Sequence, residues 1–580
     1  FTVDPVFKDT PTLNSYKWGS HSFFDFDNDG WLDIVASSKE LGQERGLLLL
    51  RNTQQGFEEV SSLIPNPVEP VRSLAIGDYN EDGDLDLFLS YHSGKFGLLR
   101  NDGGNMNYQL KLQLVGLREG SGKNNYYGIG SKVEVRAGST YQMKTITSPI
   151  EYFGLGSHER ADILRIRWTN GVPQNIFAPH SDRDLVEQQK LKGSCPFLYA
   201  WNGNQYVFVK DMMWRSALGM PSGIMHSDRN RTYAFPDASR EYLKIPGELL
   251  QLKDGEYHLK VTGELWETIY LDELVLFAVD HPTENEFLLD EKFVAPPFPE
   301  LNLYPIQKQH LPVSVTDGRN NHLAKVIAKD NHYIANFKRS KYQGITELKD
   351  LIIDLGEQIP TDQLHLFLNG WIFPSDASLN VAMSQSTEVQ SIPPYLQVRN
   401  ESGEWVTVIE NLGFPLGKNK TMVTDLSDVF KTKNRQIRIR TSMQIYWDHI
   451  FYGYVDDSLP NRITPLKNYQ SDLQYRGFSR EFRKNGRNGP HWFDFTEVST
   501  EPQWMDLEGL YTRYGDVTPL LKSSDNQYII YNAGDEISIK YSAKDLEELP
   551  TGWKRDFVIY SVGWVKDGDL NTAHGQTVYP

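Results

Sequence analysis

Cysteine is almost missing: Cys195 stands alone in 580 residues. An internal disulfide is therefore excluded, and so is every Cys-rich zinc or haem motif. A chain of this length can bury enough apolar surface to fold without disulfides, so cysteine count does not fix the compartment. No apolar run approaches the roughly 18 residues that read as a membrane span. Positive charge is in deficit, with 59 Lys and Arg against 76 Asp and Glu, a formal net charge of -17. An acidic surface repels phosphate backbones, so no nucleic-acid partner is expected. Helical periodicity is scarce. Only residues 424–431 and 543–549 read as helices, and both are short. Catalytic signatures are missing too. There is no HExxH and no GxSxG, and Gly120-Ser-Gly122-Lys123 lacks the upstream glycine and the following Ser or Thr of a phosphate-binding loop. Phe1 stands where an initiator Met would be, which predicts a processed or trimmed chain; an intact gene beginning at Phe1 would contradict that.

Aromatics are plentiful: 30 Tyr, 28 Phe and 13 Trp. They favour strands. The expected fold is mainly β with little helix: partial β-propeller-type blades, then several β-sandwich-like domains. The expected regions are 1–108, 109–185, 186–295, 296–460 and 461–580. The boundary near 295–305 rests on its prolines, which cannot join a sheet interior. Strands are expected at 21–26 and 31–37, at 74–79 and 85–90, and at 47–52 and 96–101, the last two ending in Arg-Asn. Further strands are expected at 108–115, 132–137, 163–168, 255–262, 269–279, 436–441 and 444–452.

Two loops carry recognisable chemistry. The first reads Asp25-Phe-Asp27-Asn-Asp29-Gly30-Trp31-Leu-Asp33. The second reads Asp78-Tyr-Asn80-Glu-Asp82-Gly83-Asp84-Leu-Asp86. They begin 53 residues apart, an internal repeat of a length seen in propeller blades. Calcium takes about six to eight oxygen ligands at roughly 2.3–2.6 Å. Oxygens at positions 1, 3 and 5 can curl around one ion. Glycine at position 6 permits the sharp turn, and position 7 offers a backbone carbonyl, here from Trp31 and Asp84. An EF-hand would add Glu at position 12 between two helices. Position 12 is Ala36 or Leu89, Asp33 and Asp86 stand at position 9, and the flanks have strand character. Two Ca2+ sites between strands are expected. Magnesium suits them poorly, because it resists all-protein cages.

These units resemble FG-GAP (integrin-type, or VCBS) calcium-binding repeats, through the loop, the strand after it and the Leu-Leu-Arg-Asn ending with Gly56-Phe57. The next stretch resembles the ASPIC/UnbV domain of cartilage acidic protein-like bacterial secreted proteins. The residues that carry this are Asn125, the Gly128-Ile-Gly130-Ser-Lys-Val-Glu-Val run, Phe153-Gly-Leu-Gly156, and Ile166-Arg-Trp168 with Gly171 and Gln174. The resemblance covers about the first 180 residues. It implies an extracellular, cell-surface or periplasmic protein whose calcium is structural and whose role is interaction or assembly. A propeller needs about four to eight blades, and only two show here. Another chain or chain segment is expected to complete it.

Other features are weaker. Met212, Met213, Met220, Met225 and His226 near Cys195 could hold a soft metal, as in a redox accessory subunit, but Met also fills cores. Asp567-Gly-Asp569-Leu-Asn571 mimics a calcium loop yet has Thr572 where glycine belongs, so a polar turn is expected. Trp371, Trp405, Trp447, Trp492, Trp504, Trp553 and Trp564 suggest core packing or a carbohydrate-stacking surface. The latter would suit a polysaccharide-binding or polysaccharide-degrading enzyme, the alternative reading. Arg476, Arg480, Arg483, Lys484 and Arg487 form a basic stretch, expected to be a solvated loop. Glu264, Glu267, Asp448 and His449 are the only acid–base candidates, and their spacing does not single them out. The balance leans away from an enzyme.

Overall fold

The computed structural model describes residues 16–38, 46–67, 69–103, 106–116, 124–190, 193, 196–213, 218–221, 233–234, 237–293, 297–335, 337–357, 359–373, 375–483 and 491–579. The chain divides into two compact units, one reaching to Gln189 and the other running from Lys190 to the end, with 170–172 grouped with the second.

In the first unit, β1 (Trp18–Phe24), β2 (Asp33–Ser38), β3 (Leu47–Asn52) and β4 (Phe57–Glu59) form an antiparallel sheet in sequence order. β5 (Val71–Gly77), β6 (Asp86–Tyr91) and β7 (Phe96–Leu99) repeat the pattern. The flanking strands stop at Phe24 and Gly77, because Asp25 and Asp78 already bend into their loops. Side chains alternate across each sheet. Val35, Leu47 and Leu49 on one face of the first sheet pack with Val71, Leu87 and Leu89 of the second. Ile34, Leu48 and Leu50 on the opposite face pack beneath Tyr16, Trp18 and Phe57. These are two stacked blades, and no closed ring of blades forms among the described residues.

Two further sheets follow. One has the order β10 (Thr140–Thr145), β9 (Lys132–Ala137), β12 (Ile163–Arg167), β13 (Pro173–Phe177). The other places β8 (Tyr108–Val115) between β11 (Glu151–Gly156) and β14 (Asp184–Gln188), with β14 parallel to β8. Leu110, Leu112 and Leu114 alternate inward on β8, as do Val133 and Val135 on β9 and Leu164 and Ile166 on β12. The indole of buried Trp168 donates to Gln174 Oε1 at 3.1 Å.

The second unit contains two sandwiches. The first joins distant stretches. One sheet runs Tyr206–Asp211, Phe197–Trp201, Glu256–Thr262, Asp535–Ser542, Asn468–Tyr475. The other runs Ser239–Ile245, Trp553–Asp567, Glu267–Pro282, Arg462–Leu466. Leu259, Val261, Ile537 and Ile539 face Leu274, Leu276, Phe557 and Ile559 across one core. Between these stretches, residues 314–454 supply a second sandwich, with Ile353, Ile437 and Ile439 of one sheet against Leu366, Leu368 and Ile450 of the other. The proline-rich segment before it ends in an edge strand, Leu303–Ile306, paired with Glu286–Leu289. Pro305 is tolerated there because an edge strand need not donate to a neighbour on both sides. This hairpin serves both sandwiches: Leu288 and Ile306 pack with Phe367 and Phe451, and Leu289 and Leu303 with Val279 and Val558.

Both expected helices are corrected. Residues 420–425 form a strand on Leu364–Ile372 and then turn, and 543–549 turn after Asp535–Ser542. Such short segments cannot offset the cost of helix nucleation without a packed face. Among the described residues, the α-helix that does form is α1 (Ala377–Ser384). Asp376 caps it by accepting from Leu379 N at 2.7 Å, and buried Asp569 accepts from Ser378 N at 3.1 Å. The calcium-like 567–571 turn is thus a helix clasp.

Charge is buried where the hairpin meets the sandwiches. Glu291 pairs with Lys210 and accepts from Lys244 N at 2.9 Å and Thr421 N at 2.8 Å. Replacing Glu291 by Ala leaves Lys210 as a buried, unpaired cation, which costs about 3–5 kcal/mol. The urea midpoint of the Glu291→Ala variant should fall accordingly. An unchanged midpoint would show that this pair does not tie the hairpin in place.

Candidate metal centre

Each aspartate loop is built by the same hydrogen bonds. In the first, Asp25 Oδ1 accepts from Asp29 N at 3.0 Å and Oδ2 from Gly30 N at 2.8 Å. In the second, Asp78 accepts from Asp82 N at 3.2 Å and Gly83 N at 3.0 Å. Asp29 Oδ1 accepts from Trp31 N at 2.9 Å, and Asp82 Oδ1 from Asp84 N at 3.0 Å. Two residues per loop take left-handed backbone: Asn28 (φ 55°) and Gly30 (φ 91°), then Glu81 (φ 62°) and Gly83 (φ 93°). Glycine tolerates this without a Cβ penalty.

Position 9 locks each loop to its own blade. Asp33 accepts from Phe26 N at 3.1 Å and Asn52 N at 2.7 Å. Asp86 accepts from Tyr79 N at 3.0 Å and Asn101 N at 2.8 Å. This explains the Arg-Asn that ends β3 and follows β7: the asparagine closes the loop. Its role was not drawn from the sequence, although its recurrence after both loops was a signal.

The side chains of Asp25, Asp27 and Asp29 converge. One oxygen from each lies within 4.8 Å of the others. Asp27 Oδ1 is buried and accepts no hydrogen bond. Hard oxygens gathered in this way fit Ca2+, which when bound would supply the charge that three clustered carboxylates require. Burial pushes Asp25 up to about 8; the Gly30 N–H opposes this, and Asp29, Asp33 and Asp27 reinforce it. Burial likewise pushes Asp33 up to about 7 against the Asn52 and Phe26 N–H groups, and it raises Asp29. Arg51 reaches the same cluster, at 2.7 Å from Asp27 and 3.7 Å from Asp29. Its counterpart Arg100 pairs with Asp102 instead.

The second loop is more open. Asn80 and Asp82 are exposed, and Asn80 Nδ2 donates to Asp82 Oδ2 at 2.6 Å. Asp84 turns its carboxylate toward the first loop, where it accepts from Asn28 Nδ2 at 3.0 Å. Asn101 Nδ2 donates to Phe26 O at 2.6 Å and Asn107 Nδ2 to Asp27 O at 2.7 Å. The two loops therefore share one hydrogen-bond network.

β11 closes over the first loop. Gly156 N donates to Asn28 O at 2.9 Å. Gly154 has no room for a side chain: a Cβ there would overlap Asp25 Oδ2 and the Asn28 carbonyl. Gln142 Nε2 holds the Gly154 carbonyl at 2.6 Å.

The other candidates lie as follows. Met212 and Met213 lie in the sandwich core; Met225, His226 and Cys195 fall outside the described residues. Trp371, Trp447, Trp492 and Trp504 are buried. Trp405 is half-buried between Arg399 and Arg438. Buried Glu264 accepts from Ser479 N at 2.8 Å and Ser479 Oγ at 2.7 Å and pairs with Arg476 at 3.4 Å. Asp448 Oδ1 accepts from Asp330 N at 3.3 Å. The basic stretch is paired, not bare: Arg480 meets Glu497 and Asp494, and Arg483 meets Glu481. Lys484 and Arg487 lie outside the described residues.

Loops of this kind, set between the strands of stacked blades, define a class of repeat, and the family comparison agrees. Residues 25–89 match the model of an FG-GAP-like repeat. Residues 120–192 match that of ASPIC and UnbV. The chain thus carries an FG-GAP-like repeat followed by an ASPIC/UnbV domain, and β11 with its Phe153–Gly156 motif is where the second meets the first. No curated protein matches the chain. A cryo-EM structure of the arabinofuranosyltransferase AftD from Mycobacteria is similar at 10% identity over 84% of this chain and 32% of that one, with a TM-score of 0.14. The chain spans about a third of that protein's length, and a likeness so loose carries no argument.

Two predictions follow from the geometry. An ordinary Asp ionises near pH 3.9, whereas Asp25 in the metal-free fold holds its proton to about 8. Stability from that protonated state is complete below about pH 4 and lost as pH rises toward 8. Cation binding must expel the proton. Calorimetry in buffers of different ionisation enthalpy should show proton release at pH 6.5 and little at pH 9; equal release at both would refute the assignment. Second, Gly154→Ala forces overlap costing about 1–3 kcal/mol. Calcium titration of that variant should show one site weakened about tenfold or more and the other unchanged.

Proposed function

We propose that this chain is an extracytoplasmic calcium-binding protein acting in protein–protein or cell-surface interaction, with calcium in a structural role. The observation that carries the reading is the convergence of Asp25, Asp27 and Asp29 on one point with Asp27 Oδ1 unpartnered. Asp78, Asn80, Asp82 and the Asp84 carbonyl form the matching second set, on the same loop frame. Asp33 and Asp86 hold the frames closed, and the Trp31 carbonyl completes the first set. Extracellular calcium is millimolar, which suits loops of modest affinity. FG-GAP-like and ASPIC/UnbV segments also suit the outside of a cell or the periplasm. Of the seven tryptophans behind the polysaccharide alternative, four are buried and Trp405, Trp553 and Trp564 are partly exposed.

Calcium that binds only the native state stabilises it by about 2.7 kcal/mol per site at 100 times its Kd. The expected result is two calcium ions per chain by elemental analysis, and a melting temperature that falls on chelation and recovers when calcium, but not magnesium, is restored. A chain that holds no calcium and melts identically in chelator would overturn the proposal.

A further inference from the structure

In the second unit, the polar-aromatic run Tyr511-Thr512-Arg513-Tyr514 meets two carboxylates that no cation answers. Asp535 opens the strand Asp535–Ser542 and stands directly opposite Tyr475, the last residue of Asn468–Tyr475. Residues directly opposite on paired strands share a face. Gly515–Asp516 pairs with the other edge of Asn468–Tyr475. Tyr514, just before it, donates its hydroxyl to Asp535 Oδ1 at 2.7 Å, and Asp535 Oδ2 accepts from Asn532 N at 3.0 Å. Asp506 is anchored from both flanks: Trp266 Nε1 donates to the Met505 carbonyl at 2.9 Å, and the Tyr511 hydroxyl to the Leu507 carbonyl at 2.7 Å. Burial raises the Tyr475, Tyr511 and Tyr514 hydroxyls, and the Asp506 charge reinforces it at each. Asp506 therefore lies among three tyrosines and Asp535. Asp535 is 5% exposed, whereas Asp506, Tyr475 and Tyr514 are open to solvent.

Burial alone raises Asp506. Burial pushes Asp535 up to about 6 against the Asn532 N–H and the Tyr514 hydroxyl, with Asp506 reinforcing it. No cation among the described residues offsets either. Neighbouring Glu536, by contrast, has Lys260 at 2.6 Å and Arg476 at 3.4 Å, and Arg476 spends its other N–H groups on Glu264, Ser479 and the Phe495 carbonyl. Fully buried Tyr531 has Asp535 as its one charged neighbour, and its hydroxyl makes no hydrogen bond. The hydroxyl hydrogens of the ring are already used: Tyr514 on Asp535, Tyr511 on Leu507 and Tyr475 on the Thr500 carbonyl at 2.9 Å. What these groups still offer is acceptor oxygens and ring faces. A sugar presents donors and acceptors alike, whereas an ammonium presents donors only and is drawn to tyrosine faces. A hard metal ion needs more oxygens gathered at one point, as at Asp25, Asp27 and Asp29. We infer that Asp506 and Asp535, framed by Tyr475, Tyr511 and Tyr514, bind an alkylammonium group, carried by a free amine or by a lysine side chain. The ammonium sits on the Asp506 carboxylate and its alkyl stem lies along the rings. The site uses no residue of the calcium loops, so the two readings stand or fall separately.

Saturation-transfer NMR on the full chain tests this, with n-butylammonium and Nα-acetyl-lysine amide as probes. Both should receive saturation, and the tighter binder shows whether the site is built for a free amine or for a lysine side chain. Nα-acetyl-norleucine amide, which lacks the ammonium, should receive none. Asp506→Asn should weaken both probes about tenfold or more. Its melting temperature should stay unchanged, because burial is the one influence on that carboxylate in the fold. Tyr514→Phe keeps the ring and should keep binding, whereas Tyr514→Leu should weaken it. No saturation of either cation, equal saturation of the norleucine derivative, an affinity untouched by Asp506→Asn, or saturation of methyl glucoside in place of the cations would overturn the assignment.

Discussion

Three carboxylates that share one small volume constrain everything around them. At separations within 4.8 Å, and at an effective dielectric near 20, each ionised pair repels by on the order of 3 kcal/mol. Backbone N–H groups relieve only part of this. Those of Asp29 and Gly30 are spent on Asp25, that of Trp31 on Asp29, and those of Phe26 and Asn52 on Asp33. Arg51 adds one positive charge at the rim. The remaining imbalance is what an oxygen-seeking divalent cation would cancel. The loop's left-handed residues, its position-9 anchor and the asparagine after it all serve to keep the repelling groups together.

Rigidity of the first loop then reaches further than its blade. Asn28 stands at a junction: its side chain reaches Asp84 in the second loop, and its carbonyl receives Gly156 N from β11. Neighbouring backbone carbonyls, those of Phe26 and Asp27, are held by Asn101 and Asn107. A loop that relaxes loses contacts to the next blade and to the ASPIC/UnbV domain together. Gly154 makes the fit exclusive, since only the absence of a side chain lets β11 approach Asp25 so closely.

The loops were legible in the sequence because the residues that build them are local. Nine residues contain the whole pattern, and strand flanks distinguish it from an EF-hand. Strands 108–115 and 132–137 were legible for the same reason, as alternation within one segment, and 47–52 as an apolar run ending in Arg-Asn. The first sandwich of the second unit was not. Its central pair joins Glu267–Pro282 to Trp553–Asp567, residues almost 300 positions apart, with another sandwich between them. Nothing in either strand names the other, because apolar alternation specifies a face and not a partner. The same limit hid the clasp of Asp569 on α1 and the closure of β11 on Asp25, both of which are long-range contacts of ordinary residues.

The two units handle acid in opposite ways. In the second, several buried carboxylates have cations from their own chain, Glu291 with Lys210, Asp211 with Lys418, Asp280 with Arg462 and Arg555, and Asp556 with Lys244, while others such as Asp448 and Asp569 are held by N–H groups. These pairs are fixed by strands on both sides and need nothing from solution. In the blades the carboxylates outnumber the cations beside them, so charge balance is left to the medium. That arrangement is costly to a protein that meets little calcium and harmless to one bathed in it. On the calcium reading proposed above, the first unit would depend on the ion and the second would not.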